Sequence, residues 1–546
     1  MRLIERRIGL LFAGFLILLV VTFARAVWLQ GVQGAELSAS AQSQQSETVP
    51  VPGSRGTIRD REGRPLAVSE DAVTVFATPY QLEEPVNAAA RLAPVLGMTQ
   101  QQVLTKLADR SSGFAYLKRK LAASKAAEIE ALGIEGVGVL PDSRRVYPQG
   151  QMASQLLGTV GIENNGLSGL EATAESRLGG TDGKRTIVKD ARGDPIDLQT
   201  VEESTDGSDL SLTLDSALQA RTEAALAKVG EKFKPTGATA VVMDPRTSDI
   251  LALANWPGLE SGDAEDATKE ELLNRTSGFV YEPGSTFKAF TVAAALEENA
   301  VTPDTSFDLP SILKVADREI EEAHERGPVT LRVRDILAQS SNVGSVKIGL
   351  KLGARKLDRW IERFGFGRTT GASIPGEEVG IVPRYADYSG STIGNLPIGQ
   401  GLSVTPLQML TAYAAIANGG TLRPARMLQS DPKSEGKRII SRRTARSLQK
   451  MLAGVLKPGG TAAEVQIPGY TLAGKTGTAE KVVDGAYSKS KYVASFVGFA
   501  PAKRPELLVA VVVDEPSGSI YGGDVAAPAF GEIASFALPH LGIDPR

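Results

Sequence analysis

The stretch Tyr281-Glu-Pro-Gly-Ser-Thr-Phe-Lys288 is the most informative segment of this chain. It places Ser285 and Lys288 three positions apart, and on a helix this spacing puts a hydroxyl and an amine on one face. A serine hydroxyl needs a partner to take its proton at neutral pH, and a lysine kept neutral by burial can do so. The segment therefore indicates a nucleophilic serine activated by a lysine.

The histidine content of the chain fits this pairing. Only His324 and His540 occur, the first inside a charged run over residues 317–326 and the second near the C-terminus. A Ser-His-Asp triad is therefore disfavoured. The charged run is typical of a solvated face or loop, and we assign it no chemistry.

Two further motifs follow in a fixed order. Ser340-Ser341-Asn342 and Lys475-Thr476-Gly477-Thr478 succeed the serine segment as they do in penicillin-recognising enzymes with an active-site serine. With all three motifs the chain resembles the class B penicillin-binding proteins, the membrane-anchored transpeptidases of bacterial cell-wall synthesis. The details Tyr281–Lys288 and Ser340-Ser-Asn-Val-Gly344 are more similar to the division-type members than to the elongation-type members. The resemblance implies a peptidoglycan D,D-transpeptidase.

The composition excludes several other classes of function. The chain has 546 residues, with 60 basic and 63 acidic side chains, and this balance gives no indication of nucleic-acid binding. It contains no cysteine, so disulfides and thiolate metal sites are excluded, and two distant histidines disfavour a zinc site. We predict neither a metal nor a cofactor. The length suits two or more domains.

The N-terminus predicts a membrane anchor. Arg2, Arg6 and Arg7 precede an uncharged apolar run over residues 8–24. We predict a transmembrane helix over residues 8–29 of a single-pass protein in the bacterial cytoplasmic membrane, with residues 1–7 in the cytoplasm and the catalytic domain outside. The alternative is a cleaved signal peptide, because Ala24-Arg-Ala26 is similar to a cleavage site. Both alternatives export the rest of the chain.

Composition and motifs then divide the exported part. Residues 30–50 are polar and rich in small side chains, which predicts a linker. Residues 55–63 keep the pattern RGxIxDRxG that opens a non-catalytic module in class B proteins, and residues 145–148 and 166–171 resemble two more motifs of that module. The resemblance implies an elongated α+β pedestal of the dimerisation type over residues 51–205, in which these motifs are structural, and a transpeptidase domain over residues 206–546.

The pattern within residues 206–546 predicts the catalytic fold. Asp215 caps a helix, residues 238–243 and 250–254 read as a hairpin, and several helical segments and two further strands follow before a closing helix. This order fits the penicillin-binding transpeptidase fold, in which helices pack on an antiparallel sheet beside an all-helical lobe. The predicted fold class of the chain is α+β.

The spacing of Ser340 and Asn342 predicts a loop. Residues two positions apart diverge on a helix but converge on a turn between two helices. The resemblance implies that Ser285 attacks an acyl-D-alanine carbonyl while Lys288 accepts its proton. It also implies that Ser340 relays a proton and that Asn342 bonds Lys288 and the substrate backbone.

The Lys475–Thr478 motif reads as part of an edge strand with a glycine that allows close approach. The resemblance implies that Lys475 and Thr476 attract the substrate carboxylate and that Gly477 leaves room for the peptide. It also implies an oxyanion hole formed by the backbone N–H groups of Ser285 and Thr478. Residues 398–401, Ile-Gly-Gln-Gly, are predicted as a wall of the site and not as catalysts.

The resemblance also implies partners. These are the stem peptides of lipid II-derived strands, β-lactams as covalent inhibitors, a multi-pass glycosyltransferase of the SEDS type (FtsW-like) and other divisome proteins. Two alternatives remain open at this point. A D,D-carboxypeptidase or β-lactamase would use the same acyl-enzyme, and a non-catalytic β-lactam-sensing receptor or divisome scaffold would use the same fold without turnover.

Overall fold

A computed structural model describes residues 2–31, 33, 46–51, 53–189, 195–259 and 267–545. The first element is the helix Arg2–Gly31, which begins earlier and ends later than the predicted span. By length and composition this helix can cross a membrane, and it is not buried against the rest of the protein. Most of the predicted linker lies outside the described residues, but Ser46–Val51 already forms a strand.

The chain forms two compact units. The smaller unit contains Met1–Arg55, Asp71–Arg144 and Gly180–Gly207, and the larger unit contains Gly56–Glu70, Arg145–Gly179 and Ser208–Arg546. Two segments of the predicted pedestal therefore pack within the larger unit. These segments carry the motifs at 55–63, 145–148 and 166–171, apart from Arg55.

The smaller unit has a mixed architecture. Ser46–Val51, Gly183–Lys189 and Pro195–Glu202 form a three-stranded antiparallel sheet. It also contains the helices Pro85–Leu96, Gln100–Lys106 and Ala126–Glu130. The strand Ala115–Ala122 pairs with residues 72–77 of the strand Pro65–Ala77. Most of the strand Val137–Val146 belongs to this unit as well. Leu92, Leu96 and Val103 are buried in its core. The amphipathic helices form because their apolar residues share one face.

A five-stranded antiparallel sheet forms the centre of the larger unit. Its order in space is Asp249–Trp256, Gly237–Asp244, Leu507–Asp514, Ala486–Ala500 and Ala473–Val483. The inner strands are apolar along most of their length because both faces of the sheet are covered by helices. Ala473–Val483, which we call the edge strand, has only one neighbouring strand in the described structure. The predicted hairpin and edge position match this sheet.

Helices cover the two faces of the sheet. Ser216–Phe233 and Gly522–His540 lie on one face, where Leu218, Leu226 and Phe530 are fully buried. Asp215 caps the first of these helices, as predicted, because its side chain accepts from the Leu218 amide at 3.0 Å. Pro406–Ala417 contacts the opposite face.

The helical lobe completes the larger unit. Its main helices are Lys288–Glu297, Val333–Ala338, Asn342–Leu352, Ala354–Arg363 and Arg442–Leu452. Two pairs of short strands also lie in this part of the chain, Ser306–Leu309 with Val329–Arg332 and Ile312–Val315 with Arg318–Glu321. Short helices occur at Ser154–Leu157, Gly169–Thr173, Glu175–Leu178, Lys269–Leu272, Arg275–Gly278 and Thr392–Asn395, and short strands at Ile58–Arg59, Leu210–Ser211, Thr421–Leu422 and Lys437–Arg438. The predicted α+β fold class is confirmed.

The RGxIxDRxG motif makes buried polar contacts inside the larger unit. Asp60 is 1% exposed, and its carboxylate accepts from the Ser216 hydroxyl at 2.5 Å and from the amides of Glu62 and Arg64 at 2.9 Å. The hydroxyl it binds belongs to the first residue of the helix that Asp215 caps. These contacts join the motif to the helix Ser216–Phe233, which packs on the central sheet, and fit a structural role.

Candidate active site

Ser285 lies in a tight turn that leads into a helix. Gly284–Phe287 forms a single 3₁₀ turn, and the helix Lys288–Glu297 continues from it. Side chains three positions apart eclipse in such a turn, so Ser285 and Lys288 point to the same side. Gly284 has φ +53°, and a Cβ added to it would lie 3.1 Å from the Ala479 Cβ. Glycine thus allows the turn to approach the edge strand closely.

The Lys288 amine is held by the Ser340–Asn342 loop. Its Nζ donates to the Ser340 carbonyl at 2.6 Å and to the Asn342 Oδ1 at 2.6 Å, and it lies 3.3 Å from the Ser340 Oγ. Carbonyl oxygens only accept hydrogen bonds. A neutral amine has two N–H donors, which are enough for the two short bonds, and its lone pair is then left to accept a proton.

Burial favours this neutral form. Lys288 is fully buried, and burial lowers the pKa of its amine from 10.5 to about 7, although the nearby Glu322 carboxylate acts to raise it. A substantial part of Lys288 is therefore unprotonated at neutral pH. This is the state that a general base requires.

The implied proton transfer needs the Ser285 Oγ to approach the Lys288 Nζ, and no hydrogen bond within 3.5 Å joins these two atoms in the structure. The amine is directed to the Ser340–Asn342 loop instead. Catalytic hydrogen bonds in substrate-free sites are often long and shorten when substrate binds. Ser285 and Ser340 both line the same cleft, and Ser340 also binds the buried amine.

The Ser340–Asn342 segment forms the predicted turn between two helices. Val333–Ala338 ends before it and Asn342–Leu352 begins within it. Ser340 has φ +61°, and Ser341 caps the second helix by accepting from the Gly344 amide at 2.9 Å. The Asn342 Nδ2 donates to the Glu321 carbonyl at 2.8 Å. Both ends of this amide are therefore occupied within the protein, whereas we expected one end to face the substrate.

Glu322 is a residue of the site that the sequence analysis missed. Its carboxylate accepts from the Ser341 hydroxyl at 2.6 Å and from the Asn342 amide at 2.7 Å, and it pairs with Arg326 at 2.5 Å. Burial acts to raise the pKa of this carboxyl, but the hydrogen bonds from Ser341, Arg326 and Asn342 outweigh it and lower the pKa. Glu322 thus fixes the loop that holds Lys288.

Glu322 belongs to the charged run over residues 317–326, to which we assigned no chemistry. Most of this run is exposed, as expected of a solvated loop, but Arg318, Glu322 and His324 also line the cleft. The His324 ring packs against Tyr521 with centroids 5.3 Å apart. No spacing signal in the sequence separates these charges from ordinary surface charges.

The edge strand presents alternate residues of the Lys475–Thr478 motif to the cleft. Thr476 and Thr478 line it, while Lys475 and Gly477 face the other side, as the two-residue period of a strand requires. Lys475 is fully buried, and its Nζ donates to the Thr476 carbonyl at 3.0 Å. Burial, together with the charge of Lys288, lowers the pKa of Lys475 well below its usual value.

Gly477 packs directly against the serine turn. A Cβ added to it would lie 2.3 Å from the Ser495 Oγ, 3.0 Å from the Thr286 Cγ2 and 3.2 Å from the Pro283 carbonyl oxygen. Only glycine fits between these groups without displacement. The edge strand and the serine turn are therefore held at a fixed separation.

The motifs meet at one cleft of about 990 Å³. Ser285, Ser340, Asn342, Thr476 and Thr478 all line it. Ile398 and Gln400 line it too, in agreement with their predicted place in a wall. Sequence segments that lie up to about 190 residues apart are thus brought together around the Lys288 amine.

Comparisons with known proteins cover both units. Residues 238–535 match the family model described as the penicillin binding protein transpeptidase domain, and residues 50–212 match the penicillin-binding protein dimerisation domain. The chain is 36% identical to Stage V sporulation protein D of Bacillus subtilis, over 99% of this chain and 86% of that protein. It is 33% identical to peptidoglycan D,D-transpeptidase FtsI of Escherichia coli, over 99% of this chain and 93% of that protein.

The fold also matches solved structures. One of them is the crystal structure of penicillin binding protein 3 from Mycobacterium tuberculosis in complex with aztreonam. It superposes with a TM-score of 0.72 at 27% sequence identity, and the match covers 91% of this chain and 98% of that one.

Proposed function

This chain belongs to the penicillin-binding protein transpeptidase family, and we propose that it is a membrane-anchored peptidoglycan D,D-transpeptidase whose acyl-enzyme forms on Ser285. One observation carries the proposal. The buried Lys288 amine lies beside the cleft that Ser285 and Ser340 line, and its two shortest bonds leave a lone pair free when it is neutral. In the proposed mechanism Lys288 takes the proton of the Ser285 hydroxyl, so no catalytic histidine is needed.

Acylation is the first half of the proposed reaction. The Ser285 Oγ attacks the carbonyl carbon of the penultimate D-alanine, and its proton passes to the Lys288 Nζ. The C–N bond to the terminal D-alanine then breaks, and the leaving nitrogen receives a proton that the Ser340 hydroxyl relays from Lys288. A β-lactam reacts by the same attack, but its leaving nitrogen stays attached to the acyl group, so the adduct persists.

The edge strand supplies the proposed binding surface. Its free side allows an extended stem peptide to pair beside it. The backbone N–H groups of Ser285 and Thr478 stabilise the oxyanion, and one such donor is worth about 2.7–4 kcal/mol of barrier. The hydroxyls of Thr476 and Thr478, which line the cleft, receive the substrate carboxylate.

In the proposed mechanism the buried Lys475 amine influences the protonation of Lys288. Burial lowers the pKa of both amines, and the charge of Lys288 lowers the pKa of Lys475 further, so protonation of Lys288 opposes protonation of Lys475. A bound substrate carboxylate favours the proton on Lys475. That arrangement leaves Lys288 neutral when the substrate is present.

Deacylation decides between transpeptidase and hydrolase. In the proposed reaction the amine of a second stem peptide attacks the acyl carbonyl and loses its proton to Lys288. The bond between the acyl carbon and the Ser285 Oγ then breaks, and the Oγ takes the proton back from Lys288. Water in the same position would give a carboxypeptidase or a β-lactamase. The names of the E. coli relative and of the matching family domain support the amine as acceptor.

The wider setting is also a proposal. The apolar helix Arg2–Gly31 anchors the chain, with Arg2, Arg6 and Arg7 in the cytoplasm and the cleft outside. We propose a role in septal wall synthesis beside a multi-pass SEDS-type glycosyltransferase, because the motif details resemble the division-type members. The substrates are then lipid II-derived strands that this partner polymerises.

A donor–acceptor assay tests the proposed reaction. Purified full-length protein is given a D-alanyl-D-alanine donor peptide and an amine acceptor, and the products are separated by mass. Wild type is expected to form the cross-linked product, and Ser285→Ala to form none, while Ser488→Ala on the exposed hairpin serves as a matched control. Hydrolysed donor without cross-linked product would favour the carboxypeptidase or β-lactamase. Normal growth of cells that carry only the Ser285→Ala variant would favour the scaffold.

A further inference from the structure

A cavity lined by cations lies in the larger unit, away from the catalytic cleft. Its volume is about 510 Å³. Six basic side chains line it: Arg246, Arg423, Arg442, Arg446, Lys503 and Arg504. Glu506 is the one carboxylate among the described lining residues. The chain as a whole has a net charge of −3, so this concentration of positive charge is local.

Most of these cations have no anionic partner in the described part of the chain. Arg246 pairs with Asp244 at 2.9 Å and with Glu506 at 2.6 Å. The structure records no ion pair for the other five within the described residues. Like charges that face one cavity repel each other, and this arrangement costs stability unless an anion binds there.

The helix Arg442–Leu452 adds to that cost. Arg442 stands in its first turn and Arg446 one turn later, and neither is compensated by an acidic residue in that turn. The N-terminal end of a helix carries partial positive charge and favours anions over cations. Glu297 accepts from the amide and hydroxyl of the capping residue Ser441 at 2.8 and 2.6 Å. The Glu297 carboxylate thus binds the capping residue Ser441, and the structure records no ion pair between it and Arg442 or Arg446.

The backbone around the cavity is fixed by side-chain amides. The Asn418 Nδ2 donates to the Pro245 carbonyl at 3.1 Å, and the Gln449 Nε2 donates to the Ile416 and Ala417 carbonyls at 2.9 and 3.0 Å. These bonds join the turn that carries Arg246, the end of the helix Pro406–Ala417 and the helix Arg442–Leu452. The backbone segments that carry these basic side chains are therefore held in fixed positions around the cavity.

The positive surface continues beyond this cavity. Arg423 also lines a second cavity of about 410 Å³ together with Arg363, Arg368 and Lys437. No carboxylate lines that second cavity among the described residues. Two linked cavities of this kind can hold an anion with more than one charged group.

We propose that this basic cavity binds a polyanion that carries two or more phosphate groups. Arginine presents a planar fork of N–H donors that matches phosphate oxygens, and five of the six lining cations are arginines. The site is separate from catalysis because it shares no lining residue with the cleft. The helix Pro406–Ala417 ends at the cavity, and Gln400 before its start lines the cleft, so about 18 Å of helix separates the two.

Calorimetric titration of the full-length protein in detergent with inorganic tripolyphosphate tests the proposal. The cavity variant is R442E/R446E, and the matched control is R443E/K450E, which changes the charge of the same helix equally at exposed residues outside the cavity lining. We expect binding by wild type, a loss of affinity of roughly ten- to hundredfold in the cavity variant and a change of less than about twofold in the control. Thermal unfolding and penicillin acylation of Ser285 report whether both variants stay folded.

Two outcomes would overturn the proposal. One is the absence of tripolyphosphate binding by wild type, and the other is equal weakening in both variants, which would show nonspecific attraction. Nanodiscs identify the natural source. If discs that contain cardiolipin, whose headgroup carries two phosphates, weaken tripolyphosphate binding relative to neutral phosphatidylcholine discs, the cavity takes lipid headgroups, and equal affinity in both discs supports a soluble phosphate polymer. If penicillin does not acylate the wild-type protein, the proposed acyl-enzyme on Ser285 is wrong, but the proposed phosphate site is not affected.

Discussion

Lys288 is the residue on which the proposed chemistry depends, and two opposing effects set its protonation. Burial lowers the pKa of the amine to about 7, while the negative charge of Glu322 acts to raise it. Glu322 also accepts the hydroxyl of Ser341 and the amide of Asn342, at 2.6 and 2.7 Å. One carboxylate thus fixes the loop and raises the pKa of the Lys288 amine.

Replacing Glu322 by glutamine separates these effects. Glu322→Gln removes the charge, so the pKa of Lys288 falls and the midpoint of the pH–rate profile moves to lower pH. The Ser341 hydroxyl and the Asn342 backbone N–H bind different oxygens of Glu322, and glutamine replaces one of these oxygens with an NH2 donor. The plateau rate therefore falls by about tenfold, which corresponds to a lost charge-assisted bond of about 1.5 kcal/mol. Acylation by a chromogenic penicillin between pH 5 and 9 measures both changes.

Glu325→Gln is the matched control for this experiment. Glu325 lies in the same charged run, is exposed and does not line the cleft. Its replacement is expected to leave midpoint and plateau unchanged. If the pH–rate profile of Glu322→Gln is also unchanged, Glu322 neither raises the pKa of Lys288 nor fixes the loop that binds it.

In the proposed mechanism, the edge strand is the element that sets the distance between Ser285 and the substrate. In Gly477→Ala the new methyl group would lie 2.3 Å from the Ser495 Oγ, so the strand or the serine turn must move. We expect the acylation rate to fall at least tenfold, because small displacements of catalytic groups are costly. Stopped-flow acylation measures the loss.

A second substitution provides the control for the edge strand. The Ser495 Oγ is buried and has no hydrogen-bond partner in the described structure, so Ser495→Ala alone is expected to be nearly neutral. In the double variant Gly477→Ala/Ser495→Ala the clash at 2.3 Å is relieved, and part of the rate should return. A double variant as slow as Gly477→Ala would show that the Thr286 contact, at 3.0 Å, decides instead.

Elements that follow from local rules could be predicted from the sequence. The Asp215 cap, the hairpin at 238–254 and the turn at Ser340–Asn342 rest on capping, alternation and helical spacing, and the structure contains all three. The charged run gave no such rule, because Glu322 differs from its neighbours only in tertiary contacts. The burial of Lys475 was missed for the same reason, since strand alternation does not show which face is covered.

At the scale of the whole molecule, the catalytic unit is assembled from three separate stretches of chain. Residues 56–70 and 145–179 pack with residues 208–546. Ile58, Leu66, Leu157, Leu170 and Leu178 from the first two stretches are at most 2% exposed and share a core with Leu210, Leu212 and Leu214. A transpeptidase domain cut at residue 206 lacks this part of its core.

A chain that begins at residue 206 is therefore expected not to fold on its own. Five buried side chains of this size contribute about 1.5–3 kcal/mol each, a sum similar to the whole stability of a typical domain. Thermal unfolding and penicillin binding of residues 206–546 should show no cooperative transition and no adduct. A chain that begins at residue 46 retains all three stretches and should show both. A stable, penicillin-binding 206–546 chain would contradict this division.

The central claim is that a buried, neutral Lys288 primes Ser285. Intact-protein mass spectrometry during acylation by a penicillin, repeated from pH 5 to pH 9 with the labelled peptide mapped, tests it most directly. We predict one adduct, on Ser285, with a rate that rises about tenfold per pH unit below the Lys288 pKa of about 7 and is constant above it. An adduct on another residue, or a rate on Ser285 that does not change between pH 5 and 7, would contradict the claim.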